Sequence, residues 1–436
     1  MLYHAVADSL ETFIASCAAR GRTLPRFVER ELRGFLDCGI LANGFLRVRC
    51  DACRCERLVP FSCKRRGFCP SCGGRRMADT AAHLVDRVLP RVPVRQWVLT
   101  LPFALRYRMA FDAELTGAVL REFVHAVRGS LRRRARRRRI GGDLQFGAVS
   151  FIQRFGDALN LNVHFHSLVL DGVYVVEPES APRFVPLPPP SDHELRLTAR
   201  RIARRIRELL VRRGLTEDSD PTDADPLADE QPLLSLLAGV AVPARDRDRL
   251  ERLCRYVARP PVASERLSAL PDGRLCYRLK NRWRDGTTHL VLDPSELIQR
   301  LAVLIPPPRA NLVRYHGILA PRATHRAAIV PGGPPPRVEP SAQPSDSIDS
   351  PPTAPQLDRS RRYSWPELMR RVFAVDVLEC PDCGATLRIL AAIHPPEATR
   401  AILECLGLPT RPPPITPARL PSRPAHLGFD IDLDAC

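Results

Sequence analysis

The chain has 436 residues, which predicts two or three domains because one domain takes roughly 150 residues. Its 66 Lys and Arg against 48 Asp and Glu give a formal net charge of +18, carried mostly by arginine, and make a polyanion the expected partner. No apolar run of about 18 residues and no secretory signal is present, so we exclude a membrane span and expect a cytoplasmic protein whose cysteines are thiols and metal ligands.

The N-terminal part contains predicted helices and then a cysteine-rich segment. Two stretches of apolar residues at helical spacing, each ending near a glycine, predict helices before residue 45. Two CxxC pairs follow with 15 residues between them, the spacing of a four-thiolate zinc site. The predicted ligands of one structural Zn²⁺ are Cys50, Cys53, Cys69 and Cys72. Further thiols that could replace one of these four are Cys38, Cys55 and Cys63.

A basic cluster ends the next long helical pattern, which follows a predicted strand in "VRQWVLTLP". The helical pattern extends from Tyr107 to Arg139 and finishes with seven arginines in nine positions. Such a run is usually a solvated helix face, but in a chain this basic it equally indicates non-specific contact with phosphates. The arginines of this cluster are Arg132, Arg133, Arg134, Arg136, Arg137, Arg138 and Arg139.

Two β-rich runs, "FGAVSFIQRF" and "LNLNVHFHSLVLDGVYV", are joined by a short polar turn and predict a hairpin. Side chains alternate along a strand, so His164 and His166 project from one face and the apolar side chains from the other, core-facing side. Two imidazoles on one face can converge on a divalent ion, an interpretation that we prefer to core packing. Gln153 in the first strand supplies a third ligand if the register places it on the histidine face, and a slip of one residue would reverse this.

A candidate nucleophile lies on a later helix. Residues 177 to about 245 are Pro-rich and charged, contain one helix-like piece, "ELRLTARRIARRIRELLVRRG", and predict an insertion or lid outside the core. The helix that follows is ended by prolines from Pro260 onward. Its apolar stripe leaves Tyr256 off the buried side, and Arg252 and Arg259 share the face of this tyrosine. A metal beside basic side chains suggests phosphodiester chemistry with Tyr256 as nucleophile, although spacing alone favours a tyrosine that merely packs its ring.

The C-terminal part contains one more CxxC pair. Asp293 and Pro294 predict the start of a helix before it. The pair formed by Cys380 and Cys383 has no obvious second pair, so a half-site, a remnant, or a site completed by another residue such as His394 or Cys405 are alternatives, and we assign no zinc to it.

Several motifs, taken in order, resemble those of the rolling-circle transposases of the insertion-sequence ninety-one family. They are "FSCKRRGFCPSCGGRR", "FIQRFGDALNLNVHFHSLVLDG", "RYVARPP", "DGTTHLVLDPSELIQRL" and "RYHGILAP", and the similarity covers most of residues 45 to 325. The "CPDCGATLRIL" segment resembles the family's C-terminal piece. "HFH" corresponds to the family's histidine-hydrophobe-histidine (HUH) motif, and Tyr256 corresponds to its catalytic tyrosine. The family's prototype has two tyrosines four residues apart, whereas position 260 is a proline here, so the single-tyrosine members are more similar.

The resemblance implies an α+β fold, in which an HUH endonuclease-like antiparallel sheet with flanking helices carries the histidine pair on a central strand. It implies a transposase that nicks and rejoins single-stranded DNA at the ends of a mobile element through a 5′-phosphotyrosine. The implied cofactors are a structural Zn²⁺ in the N-terminal module and a catalytic Mg²⁺ or Mn²⁺ on His164, His166 and Gln153. Such a protein would work on the bacterial nucleoid in the cytoplasm. A plasmid replication initiator or relaxase, or a non-enzymatic zinc DNA-binding regulator, remains an alternative.

The predicted domain organisation combines these patterns with composition. The expected parts are a helical and zinc-binding DNA-recognition module at 1–90, a nuclease domain at 91–325 with its insertion, a disordered linker at 326–360, a small CxxC module at 361–410, and a loose tail at 411–436.

Overall fold

The computed structural model describes residues 1–215, 234–331 and 363–419. The described helices are α1 (Leu2–Ala19), α2 (Arg26–Leu36), α3 (Pro70–Arg87), α4 (Phe103–Phe111), α5 (Ala113–Arg137), α6 (Asp192–Arg212), α7 (Arg247–Ala258), α8 (Pro294–Leu304), α9 (Arg326–Ile329), α10 (Trp365–Phe373) and α11 (Pro396–Cys405). The described strands are β1 (Phe45–Cys50), β2 (Glu56–Pro60), β3 (Val94–Thr100), β4 (Asp143–Gln145), β5 (Gly147–Phe155), β6 (Leu161–Leu170), β7 (Gly172–Val176), β8 (Arg183–Pro186), β9 (Ser235–Leu237), β10 (Ala241–Val242), β11 (Leu267–Ala269), β12 (Leu275–Arg278), β13 (His289–Leu292), β14 (Val313–Gly317) and β15 (Leu387–Ile393).

Local sequence signals explain where several helices begin and end. The side chain of Asp112 accepts a hydrogen bond from the Leu115 amide at the start of α5, and Asp246 does the same for Arg249 at the start of α7. The prolines that follow Arg259 end α7, because that residue already has an extended backbone. Helix α8 begins after Asp293 with a proline in its first turn, as the sequence predicts.

A six-stranded antiparallel sheet forms the centre of the molecule. Its strand order is β10-β3-β6-β5-β14, and β9 also pairs with β3. Strand β6 is central because it pairs with β3 on one side and with β5 on the other. The structure is therefore a mixed helix-and-strand fold with antiparallel sheets, in agreement with the α+β prediction.

Both faces of this central sheet are covered. One face, here called the α5 face, carries side chains such as Leu99, Ile152 and Phe165, which pack against α4, α5 and α6. The opposite face, here called the α7 face, carries Phe151 and Leu168 and packs against α3 and α7. The sequence prediction of a single core side is wrong, because helices from distant parts of the chain bury the second face as well.

The residues before position 90 do not form a hydrophobic core of their own. Helices α1 and α2 share a hydrophobic core with α8 and with the small sheet β11-β12-β13. Helix α3 shares the core of the α7 face. The predicted separation of residues 1–90 from 91–325 is therefore a division of sequence motifs and does not correspond to separate cores.

The predicted insertion at about 177–245 is partly a component of the core, which corrects the expectation of a lid. In α6, Ile202 and Ile206 are buried in the core of the α5 face. Strands β9 and β10 extend the central sheet by pairing with β3. Composition is misleading here because a charged, Pro-rich segment can still contain one amphipathic helix with a continuous apolar stripe. Residues 216–233 of this segment lie outside the described residues.

The C-terminal module packs against the N-terminal part of the chain. Strand β15 pairs with β1, which in turn pairs with β2. The start of the predicted loose tail lies along α1, where Thr416 hydrogen-bonds to Ala7 and Asp8, so this part of the prediction is wrong. Most of the predicted linker, and the tail beyond residue 419, lie outside the described residues. Among the described helices, none combines the length and the apolar composition needed to span a bilayer.

Candidate active site and cysteine clusters

Two imidazoles meet on the α7 face of the central strand. His164 and His166 are buried, and their Nε2 atoms are 3.1 Å apart. The Nδ1 atom of His164 is 2.8 Å from the carbonyl oxygen of Asn162. Since a carbonyl only accepts, Nδ1 carries the proton and Nε2 keeps a free lone pair. His164 is thus held in the tautomer that can bind a metal ion through Nε2.

The ring of His166 is held by a glutamine. Its Nδ1 lies 2.7 Å from the amide Nε2 of Gln96 on β3. With the amide nitrogen in this position Nδ1 accepts, so His166 carries its proton on Nε2 and can donate it to Nε2 of His164; an amide turned with its oxygen toward Nδ1–H frees the second Nε2. Burial, with His164 and Arg259 nearby, lowers the pKa of His166 to about 3, and burial also lowers the pKa of His164. Both rings are therefore neutral, the form that ligates metals.

Gln153 lies directly opposite His164 in the β5–β6 pairing, on the same face of the sheet. The register shifts between Gln153 and Phe155, so this placement is reached through an irregularity at the turn. Its Nε2 donates to the carbonyl oxygen of Val257 at 2.7 Å, while its Oε1 is buried with no hydrogen-bond partner among the described residues. Asn162, also on this face, has a buried Oδ1 that likewise lacks a hydrogen-bond partner among the described residues. Two neutral imidazoles with converging Nε2 atoms, beside such oxygens, fit a divalent ion.

Tyr256 lies beside this histidine pair. Its side chain is 39% exposed, and its ring is 6.0 Å from the His166 ring at nearly a right angle. The guanidinium of Arg259 lies 4.3 Å from the centre of the tyrosine ring, and the Lys280 ammonium lies 4.7 Å from it. Arg252 is exposed one turn earlier on α7. The buried side chains of α7 are those that the sequence predicts, namely Leu250, Leu253, Cys254 and Val257.

Lys280 is a residue of this site that no sequence pattern predicts. The β5–β6 turn positions it, because Asp157 accepts hydrogen bonds from the backbone amides of Lys280 at 2.6 Å and Asn281 at 3.1 Å. Asp157 also forms an ion pair with Arg266 at 2.9 Å. No local pattern links this turn to a lysine more than a hundred positions later.

Tyr315, the other tyrosine near a histidine in sequence, occupies a different position. It lies on the edge strand β14 opposite Val149. Val149 is four residues before Gln153 on β5, which is roughly 13 Å along a strand. Burial raises the pKa of Tyr315, which disfavours its ionised form.

A basic cleft borders the site. It has a volume of about 270 Å³ and lies between α3, the end of α7 and strands β5 and β14. Its lining includes Gln153, Arg259, Arg66 and Arg76. Helix α3 approaches α7 so closely that a Cβ on Gly73 would lie 2.6 Å from Pro260. The cysteine-rich segment that precedes α3 is thereby fixed beside the tyrosine helix.

The arginine cluster at the end of α5 is divided by burial. Four consecutive residues from Arg136 to Arg139 are exposed, and Arg137 forms an ion pair with Glu194 at 2.6 Å. Arg132 and Arg133 are half-buried. Arg134 is 4% exposed, donates to the carbonyl of Pro188 and lies 3.9 Å from Asp171. The prediction that Arg134 binds DNA is therefore wrong, since in α5 it is one turn from the buried Leu131 and packs inward with it. This helix covers the α5 face, so its arginines and the histidine pair lie on opposite sides of the central sheet.

The cysteines form two separate four-sulfur clusters, which corrects the predicted ligand set. The first cluster consists of Cys38, Cys63, Cys69 and Cys72, and the second consists of Cys50, Cys53, Cys380 and Cys383. The two CxxC pairs that were expected to share one zinc ion therefore belong to different clusters. The reason is that β1 and β2 place the first pair beside the C-terminal module, while α2 and the start of α3 bring the second pair to Cys38 and Cys63.

The sulfur geometry fits zinc in both clusters. A tetrahedral site with Zn–S bonds of about 2.3 Å separates its sulfurs by roughly 3.8 Å. In the first cluster neighbouring Sγ atoms lie 3.5, 3.5 and 3.9 Å apart, and in the second they lie 3.5 and 3.5 Å apart. A disulfide would need about 2.05 Å, and the cysteines in the described residues are all free thiols. Four thiolates are the donor set of structural zinc.

Comparison with protein families identifies the class. Residues 147–327, which contain the histidine pair and Tyr256, match a family model described as "Putative transposase". Residues 7–101, which contain the whole first cysteine cluster, match a model described as "Transposase zinc-binding domain", of the insertion-sequence ninety-one type. No curated protein and no solved structure gives a significant match to the chain.

A chain with a transposase domain, an adjoining zinc-binding domain and this site is a transposase, an enzyme class that binds and cleaves DNA. The two matched regions together support a transposase of the insertion-sequence ninety-one family. The matched zinc-binding domain and the four-cysteine clusters together support structural zinc.

Proposed function

We propose that this transposase nicks and rejoins single-stranded DNA at the ends of a mobile element through a 5′-phosphotyrosine on Tyr256. The observation that supports this most is the position of the tyrosine ring, 6.0 Å from the ring of His166, whose Nε2 faces that of His164 at 3.1 Å. A central antiparallel strand with the histidine pair, and the tyrosine on a helix that covers that face, is the arrangement expected of an HUH endonuclease.

His164, His166 and Gln153 would hold the catalytic Mg²⁺ or Mn²⁺. The buried Oε1 of Gln153, which lacks a hydrogen-bond partner among the described residues, supports its assignment as the third ligand. When bound, a divalent ion of this kind polarises a phosphate oxygen and stabilises the charge of the transition state.

The tyrosine would perform the cleavage. The hydroxyl oxygen of Tyr256 forms a bond to phosphorus, the bond from phosphorus to the 3′ oxygen breaks, and that oxygen takes up a proton. The products are a 5′-phosphotyrosine and a free 3′-hydroxyl. A 3′-hydroxyl can later attack the phosphotyrosine and release the enzyme, so no external energy source is required. One tyrosine suffices for this cycle, which fits a proline at position 260.

Two cations would assist the tyrosine. Arg259 and Lys280 lie close to the centre of its ring, at 4.3 and 4.7 Å. Positive charge at these positions attracts the scissile phosphate. The proton of the hydroxyl can pass to water because the side chain is partly exposed.

The DNA would be held by basic residues on both sides of the sheet. The basic cleft beside Gln153, together with Arg252, would bind the strand near the cut. The α5 cluster without Arg134 would contact phosphates further away: Arg132, Arg133, Arg136, Arg137, Arg138 and Arg139. These contacts carry no sequence information, so recognition of the element's end would come from the zinc-binding region. Such DNA contacts would keep the protein at the bacterial nucleoid.

The decisive experiment compares two tyrosine variants. Tyr256→Phe removes one oxygen and keeps the ring and its cation contacts, so we expect no covalent protein–DNA adduct and nearly unchanged DNA binding. Tyr315→Phe is the matched control, because it lies on the same face of the sheet and should keep the adduct. The measurement is mass spectrometry of tryptic peptides after reaction with labelled single-stranded DNA. A DNA-linked peptide from the Tyr256→Phe protein, or its loss in the Tyr315→Phe protein alone, would refute the assignment.

A further inference from the structure

The second cysteine cluster joins two ends of the chain. Cys50 and Cys53 lie at the end of β1 and in the turn after it, whereas Cys380 and Cys383 come from the C-terminal module. The Sγ atoms of Cys50 and Cys383 are 3.5 Å apart, and those of Cys53 and Cys380 are also 3.5 Å apart. Each half of the chain supplies one CxxC pair, so neither half contains a complete set of four ligands within this cluster.

The backbone around both pairs forms similar tight turns. The Cys50 amide donates to the carbonyl of Cys55 at 2.9 Å, and the Cys380 amide donates to the carbonyl of Ala385 at 2.6 Å. In the second turn Gly384 has a φ of +72°, which favours glycine. The two turns direct their sulfurs toward each other, with Cys50 and Cys380 buried and Cys53 and Cys383 exposed. This is a preformed four-sulfur site at the surface of the sheet β15-β1-β2.

Few other contacts hold this small sheet together. The buried apolar core around the cluster contains only Val48 and Leu387 besides the two buried cysteines, among the residues that the structure describes. Within this sheet and its turns, two ion pairs join the two parts of the chain, Arg57 with Asp382 at 3.8 Å and Arg388 with Asp51 at 3.4 Å, and all four side chains are at least half exposed. Exposed pairs of this kind contribute little. A sheet with so small a core needs a further source of stability, which is the usual role of a structural metal.

We propose that Cys50, Cys53, Cys380 and Cys383 form a second, composite zinc site, which ties the C-terminal module to the N-terminal zinc-binding region. The zinc-binding region matched by the family comparison ends at residue 101 and so contains only half of this site. The full chain therefore holds two structural zinc ions, one in each cluster. This proposal concerns folding and does not depend on the cleavage chemistry, so its test needs no activity measurement.

Counting zinc in the folded full-length protein tests the site. The double variant Cys380→Ser/Cys383→Ser should hold one zinc ion fewer per chain than the unchanged protein in native mass spectrometry. The difference between the two proteins is the readout, so any metal on the histidine pair cancels. Cys55→Ser is the matched control, since this thiol lies on the same turn as Cys50 and is not part of the proposed set; it should keep the full count. An unchanged count in the double variant, or iron in place of zinc, would overturn the proposal.

Cutting the chain tests whether zinc holds the C-terminal module to the N-terminal zinc-binding region. A protease site placed between residues 332 and 362 allows the folded protein to be cut after purification. We expect the two pieces to co-elute in gel filtration when zinc is bound, and to separate in the Cys380→Ser/Cys383→Ser background. Cys405→Ser, in the same module, should behave as the unchanged protein. If the cut double variant still co-elutes, the pairing of β1 with β15 and the contacts of α10 hold the module, and the proposed tie is wrong.

Discussion

The two faces of the central sheet both bury polar side chains, but the groups that hydrogen-bond to these side chains differ between the faces. On the α5 face, Arg95 donates to Asp171 through two nitrogens at 2.6 and 3.0 Å, and Arg134 approaches the same carboxylate. On the α7 face, the side chains of His164, His166 and Gln153 hydrogen-bond to carbonyl, amide and imidazole groups, and among the described residues none of these bonds goes to a carboxylate. The buried Arg95 therefore has an opposite charge within the protein. The neutral groups that converge on the α7 face have no carboxylate partner among the described residues, and the buried Oε1 of Gln153 has no hydrogen-bond partner there, which supports the proposed cation site.

This difference predicts that substitutions on the α7 face change catalysis and that those on the α5 face change folding. The largest effect is expected for the histidine pair. His164→Ala or His166→Ala should lower the rate of single-strand cleavage roughly a thousandfold, about 4 kcal/mol, because a ligand of the cation that stabilises the transition state is removed. DNA affinity should change little, since the phosphate contacts lie elsewhere. Cleavage assays and binding titrations with the same oligonucleotide measure both quantities.

His316 provides the matched control for this pair. It is a histidine on β14 opposite Ala148, it belongs to the α5 face, and burial lowers its pKa to about 4. His316→Ala removes the same ring from the same sheet and should leave cleavage within a few-fold of normal. Equal reductions of cleavage in the His164 and His316 variants would mean that the histidine pair is structural.

On the α5 face, Asp171→Asn is expected to be strongly destabilising. The substitution keeps the shape of the side chain but leaves Arg95 and Arg134 buried without their carboxylate, which should cost about 3 kcal/mol or more. Urea unfolding monitored by circular dichroism measures the change. Asp143→Asn, an exposed position on β4, should leave the unfolding midpoint unchanged. An unaltered midpoint for Asp171→Asn would show that this ion pair does not complete the α5 face.

A smaller effect is expected for Gln96, which orients the ring of His166 without reaching the proposed cation. Gln96→Leu should lower cleavage roughly 10- to 100-fold at limiting Mn²⁺, in the range known for groups behind metal ligands. Saturating Mn²⁺ should restore most of the rate, because the substitution weakens ion binding more than the chemical step. Titration of the cleavage rate against Mn²⁺ distinguishes this from general damage, for which no metal concentration would restore the rate.

The smallest effect concerns the exposed arginines at the end of α5. Replacing Arg136, Arg138 and Arg139 by Gln should reduce the slope of log affinity against log salt by about 0.7 for each phosphate of single-stranded DNA that is no longer neutralised. Three exposed arginines of α6, Arg200, Arg207 and Arg212, provide a control with the same change in net charge. If the two triple variants have the same slope, position does not matter and the α5 cluster is only a solvated helix face.

Local patterns predict much of the sheet and of the tyrosine helix. The alternation around "HFH" places both histidines on one face, and the stripe on α7 leaves Tyr256 outside the core, because strand and helix periodicity depend only on neighbouring residues. The burial of Arg134 was also predictable, since it lies three positions after the buried Leu131 and beside Ala135. The basic composition of the run obscured that spacing.

Long-range contacts could not be predicted in this way. The sequence shows 15 residues between the two CxxC pairs. This spacing does not distinguish pairs that share one metal site from pairs that belong to two separate metal sites. Only β1 and β15, which come from opposite ends of the chain, decide between these arrangements. The approach of Lys280 to Tyr256 likewise depends on the hydrogen bonds of Asp157, for which the sequence has no periodic signal.

The composite cysteine cluster cannot form until the ribosome has made most of the chain. Cys53 and Cys380 are 327 positions apart, so at about 5 to 20 residues per second a ribosome needs roughly 15 to 65 s to deliver the second pair after the first. During that interval the first hairpin has emerged with two thiols that lack their partners. A copy of the gene that is interrupted before the last cysteine pair would encode a transposase whose N-terminal region is never completed, even though every residue of the proposed active site has already been translated.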